Sequence, residues 1–335
     1  MDYKLLNDGT TKISGLSLGT WAFSGAPVWG GCDRDAAIET VHEALERGIN
    51  LFDTAEKYGD GAAELVLGQA LKGRRQDAVL ATKVYSNPLH HDDVIAACEA
   101  SLRRLQTDYI DILQIHWPNE DIPVEETFGA FDELKKAGKI RMVSVCNHGI
   151  QCLEHVAPYG VVLNQMPYSL VWRLAEHQLS PVMEERKILL WAYSPLAQGL
   201  LTGKFRTLED VPMNRRANRM YDSKWGAGRH TDSGFEREIF AFLEQLRTLC
   251  DETGYDMPTL ALNFLKARPG MGSVLVGARN VHQLRQNLDA YETQVPADVL
   301  ARLEELSAGL RDQMGDNADL WENAPNRYGK PGRMY

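Results

Sequence analysis

Short apolar runs alternate with longer amphipathic stretches along this chain, and the alternation predicts strands and helices in turn. Runs rich in Ile, Leu and Val occur at 16–18, 49–52, 78–81, 109–115, 140–145, 161–163, 188–192 and 273–276. They are too short for helices and read as strands buried on both faces. Between them, apolar positions recurring at helical spacing predict helices over 35–47, 62–71, 92–105 and 124–136, with others at 281–288 and 296–310. Asp33 or Asp35 suits the N-cap of the first, and Gly48 its exit. A hairpin of 3–5 and 12–14, turned through Asn7-Asp8-Gly9, comes before them all.

Eight strands, each trailed by a helix, predict an α/β fold: one (β/α)8 TIM barrel spanning residues 1–335, its lower end capped by the N-terminal hairpin. A plain barrel needs roughly 250 residues, so extra loops and helices belong at the C-terminal face. A loop insertion at 199–234 and a polar C-terminal tail at 318–335 account for the surplus. A doubly wound sheet would carry G-x-G-x-x-G after its first strand. Here that strand leads into Leu18-Gly19-Thr20-Trp21, and the motif is absent.

Composition narrows the partners. A formal charge of −10 and a pI near 5.4 argue against nucleic acid and anionic membranes, which demand a basic face. No run is long and apolar enough to span a bilayer, and the N-terminus lacks the apolar core of a signal peptide. Five scattered cysteines without a C-x-x-C pair point away from disulfides and zinc, and toward a cytoplasmic location. No metal is expected, and the oligomeric state is left open.

Four polar residues sit where strands give way to loops: Asp53, Tyr58, Lys83 and His116. Parallel strands around one barrel would bring them to a common mouth. Each has a bland alternative: a turn aspartate, a packing tyrosine, a surface lysine, a histidine that merely ends a strand. Sharing one rim changes that, because buried ionic groups must pair, and pairing builds acid–base chemistry. A free phenol has a pKa of about 10. Lys83 beside Tyr58 is expected to lower it, Asp53 to hold the ammonium, and His116 to orient a substrate oxygen. The set suits protonation of a carbonyl oxygen as it becomes an alkoxide.

With these motifs in view, the chain resembles the aldo-keto reductases from about residue 16 to 290. The matching pieces are Gly19-Thr20-Trp21, Asp53-Thr54-Ala55-x-x-Tyr58-Gly59, Thr82-Lys83, and Asp108-Tyr109-Ile110-Asp111 leading to His116. Gly138-Lys139-Ile140-Arg141, Asn164-Gln165-x-x-Tyr168, Tyr193-Ser194-Pro195-Leu196-Ala197 and Gly277-Ala278-Arg279-Asn280 with Asn287 follow in order. Gly19-Thr20-Trp21-Ala22 and Trp29-Gly30-Gly31 are most similar to bacterial general-stress and inositol-associated members.

The resemblance implies an NADP(H)-dependent oxidoreductase (EC 1.1.1.-) with a tetrad of Asp53, Tyr58, Lys83 and His116, Tyr58 being the general acid for reduction. It implies that Asn147 and Gln165 hold the carboxamide, that Tyr193 stacks on the nicotinamide, and that Ser194 and Leu196 meet the pyrophosphate. Gly277, Arg279, Gln283 and Asn287 would surround the 2′-phosphate. Gly19, Thr20, Trp21, Asp53 and Cys146 would also lie against the cofactor. An arginine at the start of a helix is independently suited to phosphate, favouring NADP(H) over NAD(H). The chain departs from the family at Ser144-Val145-Cys146-Asn147-His148, where Cys146 replaces a serine and offers weaker hydrogen bonds.

Trp21, Trp29, Tyr58, Tyr85, His116 and Trp117 are the expected substrate contacts. Aromatics mixed with Asn87, Asn119, Arg219 and His148 favour a small hydroxylated carbonyl or its alcohol, hence carbohydrate metabolism. The insertion with Arg215, Arg216, Arg219 and Arg229 either folds over the cofactor or lines the pocket, solvated loop charge being the default expectation for those arginines. Two other classes compete: a cofactor-binding, redox-sensing regulatory subunit with little turnover, and an aldolase using Lys83 as a Schiff base, which requires an unpaired lysine.

Overall fold

The structure, a computed structural model, describes residues 1–26, 30–87, 89–225 and 228–322. Two short strands, β1 (Tyr3–Leu5) and β2 (Lys12–Ser14), form an antiparallel hairpin. Asp8 ties its turn by accepting from the Thr10 and Thr11 amides at 3.1 and 2.9 Å. Eight parallel strands then close a barrel: β3 (Leu16–Gly19), β4 (Leu51–Asp53), β5 (Val79–Val84), β6 (Ile110–Ile115), β7 (Ile140–Cys146), β8 (Leu163–Pro167), β9 (Leu189–Tyr193) and β10 (Met271–Gly277), with β10 pairing back to β3. The helices are α1 (Arg34–Glu46), α2 (Ala62–Ala70), α3 (His91–Leu105), α4 (Val124–Lys136), α5 (Ile150–Val156), α6 (Leu179–Glu185), α7 (Glu236–Thr253), α8 (Met257–Lys266), α9 (Val281–Glu292) and α10 (Ala297–Gln313). The expected α/β barrel is observed.

Strand periodicity sets the interior. Leu51, Ala81, Ile112, Met142, Leu163, Trp191 and Leu275 form one buried apolar cluster, one residue from each of seven strands. Successive side chains alternate faces, so the residue two positions on returns to the same side. Those positions hold Asp53, Lys83, Gln114, Ser144, Gln165, Tyr193 and Gly277. A polar layer therefore sits directly above an apolar one. Below, the hairpin's Leu6 and Ile13 join the same apolar cluster and plug the barrel's N-terminal end. Asn50 fastens the plug, accepting from the Ser14 amide at 2.7 Å and donating to the Lys12 carbonyl at 2.8 Å.

Several expectations shift. The strand expected at 161–163 begins where that range ends, at Leu163. Residues 236–266, unassigned above, form α7 and α8 in succession, so counting one helix per strand leaves no place for the second. The spacing in α7 is nevertheless helical, with Ile239, Phe242, Leu243, Leu246 and Leu249 buried. Asp33 is the N-cap of α1, accepting from the Asp35 and Ala36 amides at 3.1 Å, and Gly48 follows with φ +84°.

The arginines of the insertion are not all solvated. Arg216 and Arg219 are buried. Arg216 donates to the carbonyls of Leu208 (2.7 Å) and Val211 (2.8 Å), while Arg219 pairs with Asp232 at 2.6 Å. Carbonyls and a carboxylate replace water around each guanidinium, which makes their burial tolerable. The tail is likewise packed where it is described: Ala318 and Leu320 are buried, and Trp172 donates its indole N–H to the Ala318 carbonyl at 3.1 Å.

Candidate active site

Lys83 and Asp53 meet inside the barrel because β4 and β5 pair in register, Asp53 opposite Ala81, with Lys83 two residues further along the same face. The Lys83 ammonium, fully buried, donates to Asp53 Oδ1 at 2.6 Å, to the Thr54 carbonyl at 2.8 Å and to Tyr58 Oη at 3.2 Å. Its three donors thus have three acceptors. Asp53 Oδ1 also receives Gln165 Nε2 at 2.8 Å and Gln114 Nε2 at 3.3 Å. A lysine so engaged is unsuited to Schiff-base chemistry, which needs a free amine.

Tyr58 stands in the loop after β4, and an aromatic cage surrounds it. Its ring lies 6.0 Å from Trp21, nearly parallel, and 6.0 Å from the His116 imidazole, edge-on. His116 in turn meets Tyr85 at 5.8 Å and stacks on Trp117 at 6.0 Å. Contrary to the expectation from its neighbour, the Tyr58 phenol is pushed well above its ordinary range. Burial is the main cause, and the Asp53 carboxylate adds to it. Lys83 is matched by that carboxylate, so the phenol sees a neutral pair rather than a bare cation.

The cage forms one end of a cleft of about 1070 Å³ across the barrel mouth. Asp53, Tyr58 and His116 line it, as do Gly19, Trp21, Tyr85, Trp117, Cys146, Asn147, Gln165, Tyr193, Ser194, Leu196, Gly277, Arg279, Gln283 and Asn287. Lys83 lies behind Tyr58 rather than on the surface. Thr20 is buried off the cleft, its amide bonded to the Asp53 carbonyl at 2.9 Å. Trp29 lies outside the described residues.

The cleft's middle and far end use unusual backbone. Asn147 (φ +60°) and Ser194 (φ +53°) adopt left-handed conformations, a strain that recurs at functional sites. Asn280 caps α9 by accepting from the Gln283 amide at 3.0 Å, which leaves Arg279 on the cleft wall. Two cations of the insertion join it: Arg215, one of the arginines that could line the pocket, and Lys204, which the sequence did not single out. A β-carbon on Gly199 (φ +104°) would sit 2.9 Å from Lys204 Cε and 3.3 Å from Arg215 Nη1, so the ends of both side chains lie close against the bare glycine. Burial first lowers the proton affinity of both; repulsion from Arg215 and then Arg279 adds to it at Lys204, and repulsion from Arg279 at Arg215. Cations massed against one another form a ready site for phosphate.

Gln114, Lys204 and Trp321 escaped the sequence reading. Gln114 was detectable as the one polar residue two positions after Ile112 in an apolar run. Lys204 resembles any loop lysine, and Trp321 has only Leu320 beside it to hint at packing. Among the described residues no cluster of His, Cys, Asp and Glu is placed to hold a metal ion, and no helix is long and apolar enough to cross a membrane.

Comparison with known proteins matches the aldo/keto reductase family model to residues 15–308. The chain belongs to the aldo/keto reductase family. This reductase is 37% identical over 298 residues to aldo-keto reductase YhdN of Bacillus subtilis, covering 85% of this chain and 87% of that protein. It is 36% identical over 313 residues to an NADH-specific methylglyoxal reductase of Escherichia coli, covering 84% and 91%. Among solved structures, an aldo/keto reductase from Klebsiella pneumoniae in complex with NADP and acetate superposes with a TM-score of 0.70 at 28% identity, covering 90% and 94% of the two chains. Family membership makes this chain a carbonyl–alcohol oxidoreductase that uses a nicotinamide cofactor.

Proposed function

We propose that this aldo/keto reductase reduces small hydroxylated aldehydes or ketones with NADPH, Tyr58 delivering the proton. The observation that carries the reading is the 3.2 Å contact between Lys83 Nζ and Tyr58 Oη at the floor of the cleft, with Asp53 holding the ammonium.

The cleft fits a dinucleotide. Asn147, Gln165, Tyr193, Lys204, Arg215 and Arg279 all line it; on this reading Asn147 and Gln165 would take the carboxamide, Tyr193 would support the ring, and the three cations would take the phosphates. When bound, the nicotinamide supplies the hydride that the carbonyl carbon receives. Everything else falls to the protein. Tyr58 holds a proton at Oη and passes it to the carbonyl oxygen, and His116 orients that oxygen. Because the phenol is raised, it stays protonated through neutral pH; that supports reduction over alcohol oxidation there.

Three cations at one end support NADPH over NADH, since the extra 2′-phosphate is the group they would recognise. The Escherichia coli relative named NADH-specific makes the point worth a direct test. Titration should give NADPH an affinity at least about tenfold above NADH, and Arg279→Ala should bring the two within about threefold. Equal affinities in the unaltered protein would refute the preference. The mixture of rings with Lys57, Asp60 and Asn87 along the substrate end supports hydroxylated substrates, whose C–H faces stack while their hydroxyls find partners. A scan of sugars, small hydroxy-aldehydes and simple ketones tests this. Cofactor binding without turnover on any of them would favour a regulatory subunit. A place in carbohydrate metabolism and a cytoplasmic location accord with such substrates.

A further inference from the structure

Lys57 stands between a pinned residue and the proton donor. The chain turns soon after β4 ends at Asp53, the Tyr58 amide bonding the Ala55 carbonyl at 3.0 Å. Half-buried Glu56 accepts the Tyr85 amide at 2.8 Å, which fastens this turn to the residue just past β5. So held, Lys57 lays its ammonium over the Tyr85 ring, 5.4 Å from the centroid. That ring lies 5.8 Å from the His116 imidazole, so the charge is one aromatic ring away from His116.

Other cations of the cleft have tasks elsewhere. Lys204, Arg215 and Arg279 are massed at its far end. Arg229 pairs at 3.2 Å with Glu322, in the strap of residues 317–322 whose Trp321 indole donates to Tyr193 Oη at 2.9 Å. Lys57 differs. Among the described residues its ammonium has no ion pair and no hydrogen bond, only the ring beneath it. Glu56 is turned to the Tyr85 amide, and exposed Asp60 forms no ion pair with Lys57 either. Three N–H donors, half-sheltered against an aromatic wall and unspent by the fold, are free to serve a ligand.

The geometry points to Lys57 as a specificity-determining residue: its ammonium takes a carboxylate that the carbonyl substrate carries a few carbons from its reacting group. The carbonyl oxygen meets Tyr58 and His116, the carbon chain passes Tyr85, and the carboxylate ends at Lys57. A single negative charge suits this end better than a phosphate dianion, because one ammonium is present and Asp60 lines the same cleft. The inference rests on the reductase reading above and narrows its substrates to hydroxylated oxo acids.

The test measures kcat and KM, with cofactor saturating, for 4-oxobutanoate and its methyl ester, which offer the same aldehyde with and without a charge. Their kcat/KM values are taken as an acid-to-ester ratio and compared between proteins, so intrinsic reactivity and any general loss cancel. The ratio in the unaltered protein should exceed that in Lys57→Gln by about five- to tenfold, the range of one partly sheltered charged contact. The difference should lie in KM rather than kcat. Raising the ionic strength should erode the ratio in the unaltered protein and in Lys57→Arg, but not in Lys57→Gln. Equal ratios in the unaltered protein and Lys57→Gln overturn the inference, as does a difference that salt leaves untouched. Should Lys57→Gln fail to fold, the salt dependence of the unaltered protein decides. Glyceraldehyde 3-phosphate against glyceraldehyde gives the phosphate arm; a larger effect of Lys57→Gln there than on the acid overturns the choice of carboxylate. Turnover of sugars or hydroxy-aldehydes without turnover of 4-oxobutanoate overturns this inference alone. No turnover of any carbonyl compound takes the reductase reading with it.

Discussion

Tyr58 shows how a single residue's behaviour depends on its neighbour's neighbour. Next to Lys83 alone its phenol would be acidified; burial first, and then Asp53 completing the pair, raises it instead. The protonated form is the active one for reduction, so kcat/KM for reduction should show no loss from this group up to about pH 9, falling only above the ordinary phenol range. Tyr58→Phe should lower reduction by about 10²–10⁴-fold with the fold intact by circular dichroism. Asp53→Asn would leave the lysine's charge unbalanced and bring the phenol down, so the pH profile of alcohol oxidation should move toward neutrality. A profile that stays in place would show that Asp53 has no influence on that proton. Cys146 Sγ meets Asn147 Nδ2 at 3.1 Å and Gln165 Oε1 at 3.4 Å. Cys146→Ser should shorten both links and tighten NADPH binding modestly, by about two- to fivefold in a titration.

At the scale of elements, the strand ends were the most legible part. Asp53, Lys83 and His116 announce themselves as polar residues ending apolar runs, and a period of two places the first two on the inner face. Tyr58 has no such period, lying in a loop; its role rests on the motif around it. What the sequence hid were residues whose partners are far along the chain. Lys204 and Arg215 gain meaning only through Gly199 and Arg279, and Trp321 only through Tyr193. The reversal at Tyr58 was hidden because it comes first from burial, which only the folded barrel shows, and then from Asp53, a neighbour's partner. The turn after β7 carries a second hidden consequence. His148 is buried, and burial lowers its pKa to about 4 against the pull of the Cys146 carbonyl at 3.0 Å. Its unfolded form takes up a proton near pH 6.5 while the folded form resists. Stability should therefore decline as pH falls from about 6.5 to 4, by roughly 3 kcal/mol from this group. His148→Gln should flatten that acid limb in urea denaturation; an unchanged slope would assign the loss to other groups.

Across the whole molecule, stability and chemistry occupy opposite ends of one barrel. Ile13, wholly buried, belongs to the plug, and Ile13→Ala should cost about 2–5 kcal/mol in unfolding free energy. At a temperature where the variant is folded, its kcat should match that of the unaltered protein, because the polar layer above Leu51 and Ala81 is not disturbed. A joint fall in both quantities would mean that the two ends are mechanically coupled. Arg173 joins the halves of the outer shell: it is buried, grips Glu176 at 2.6 Å, and also pairs with Glu304 of α10. This binds the loop after β8 to the helix that precedes the strap.

That helix and strap come late in the polypeptide, after β10 has sealed the cylinder. In chain order, every strand of the barrel comes before the indole that bonds Tyr193. A chain made only that far has the whole cylinder but not the hydrogen bond at Tyr193. The last contacts of the cleft wall are thus supplied by the end of the described polypeptide rather than by the cylinder itself.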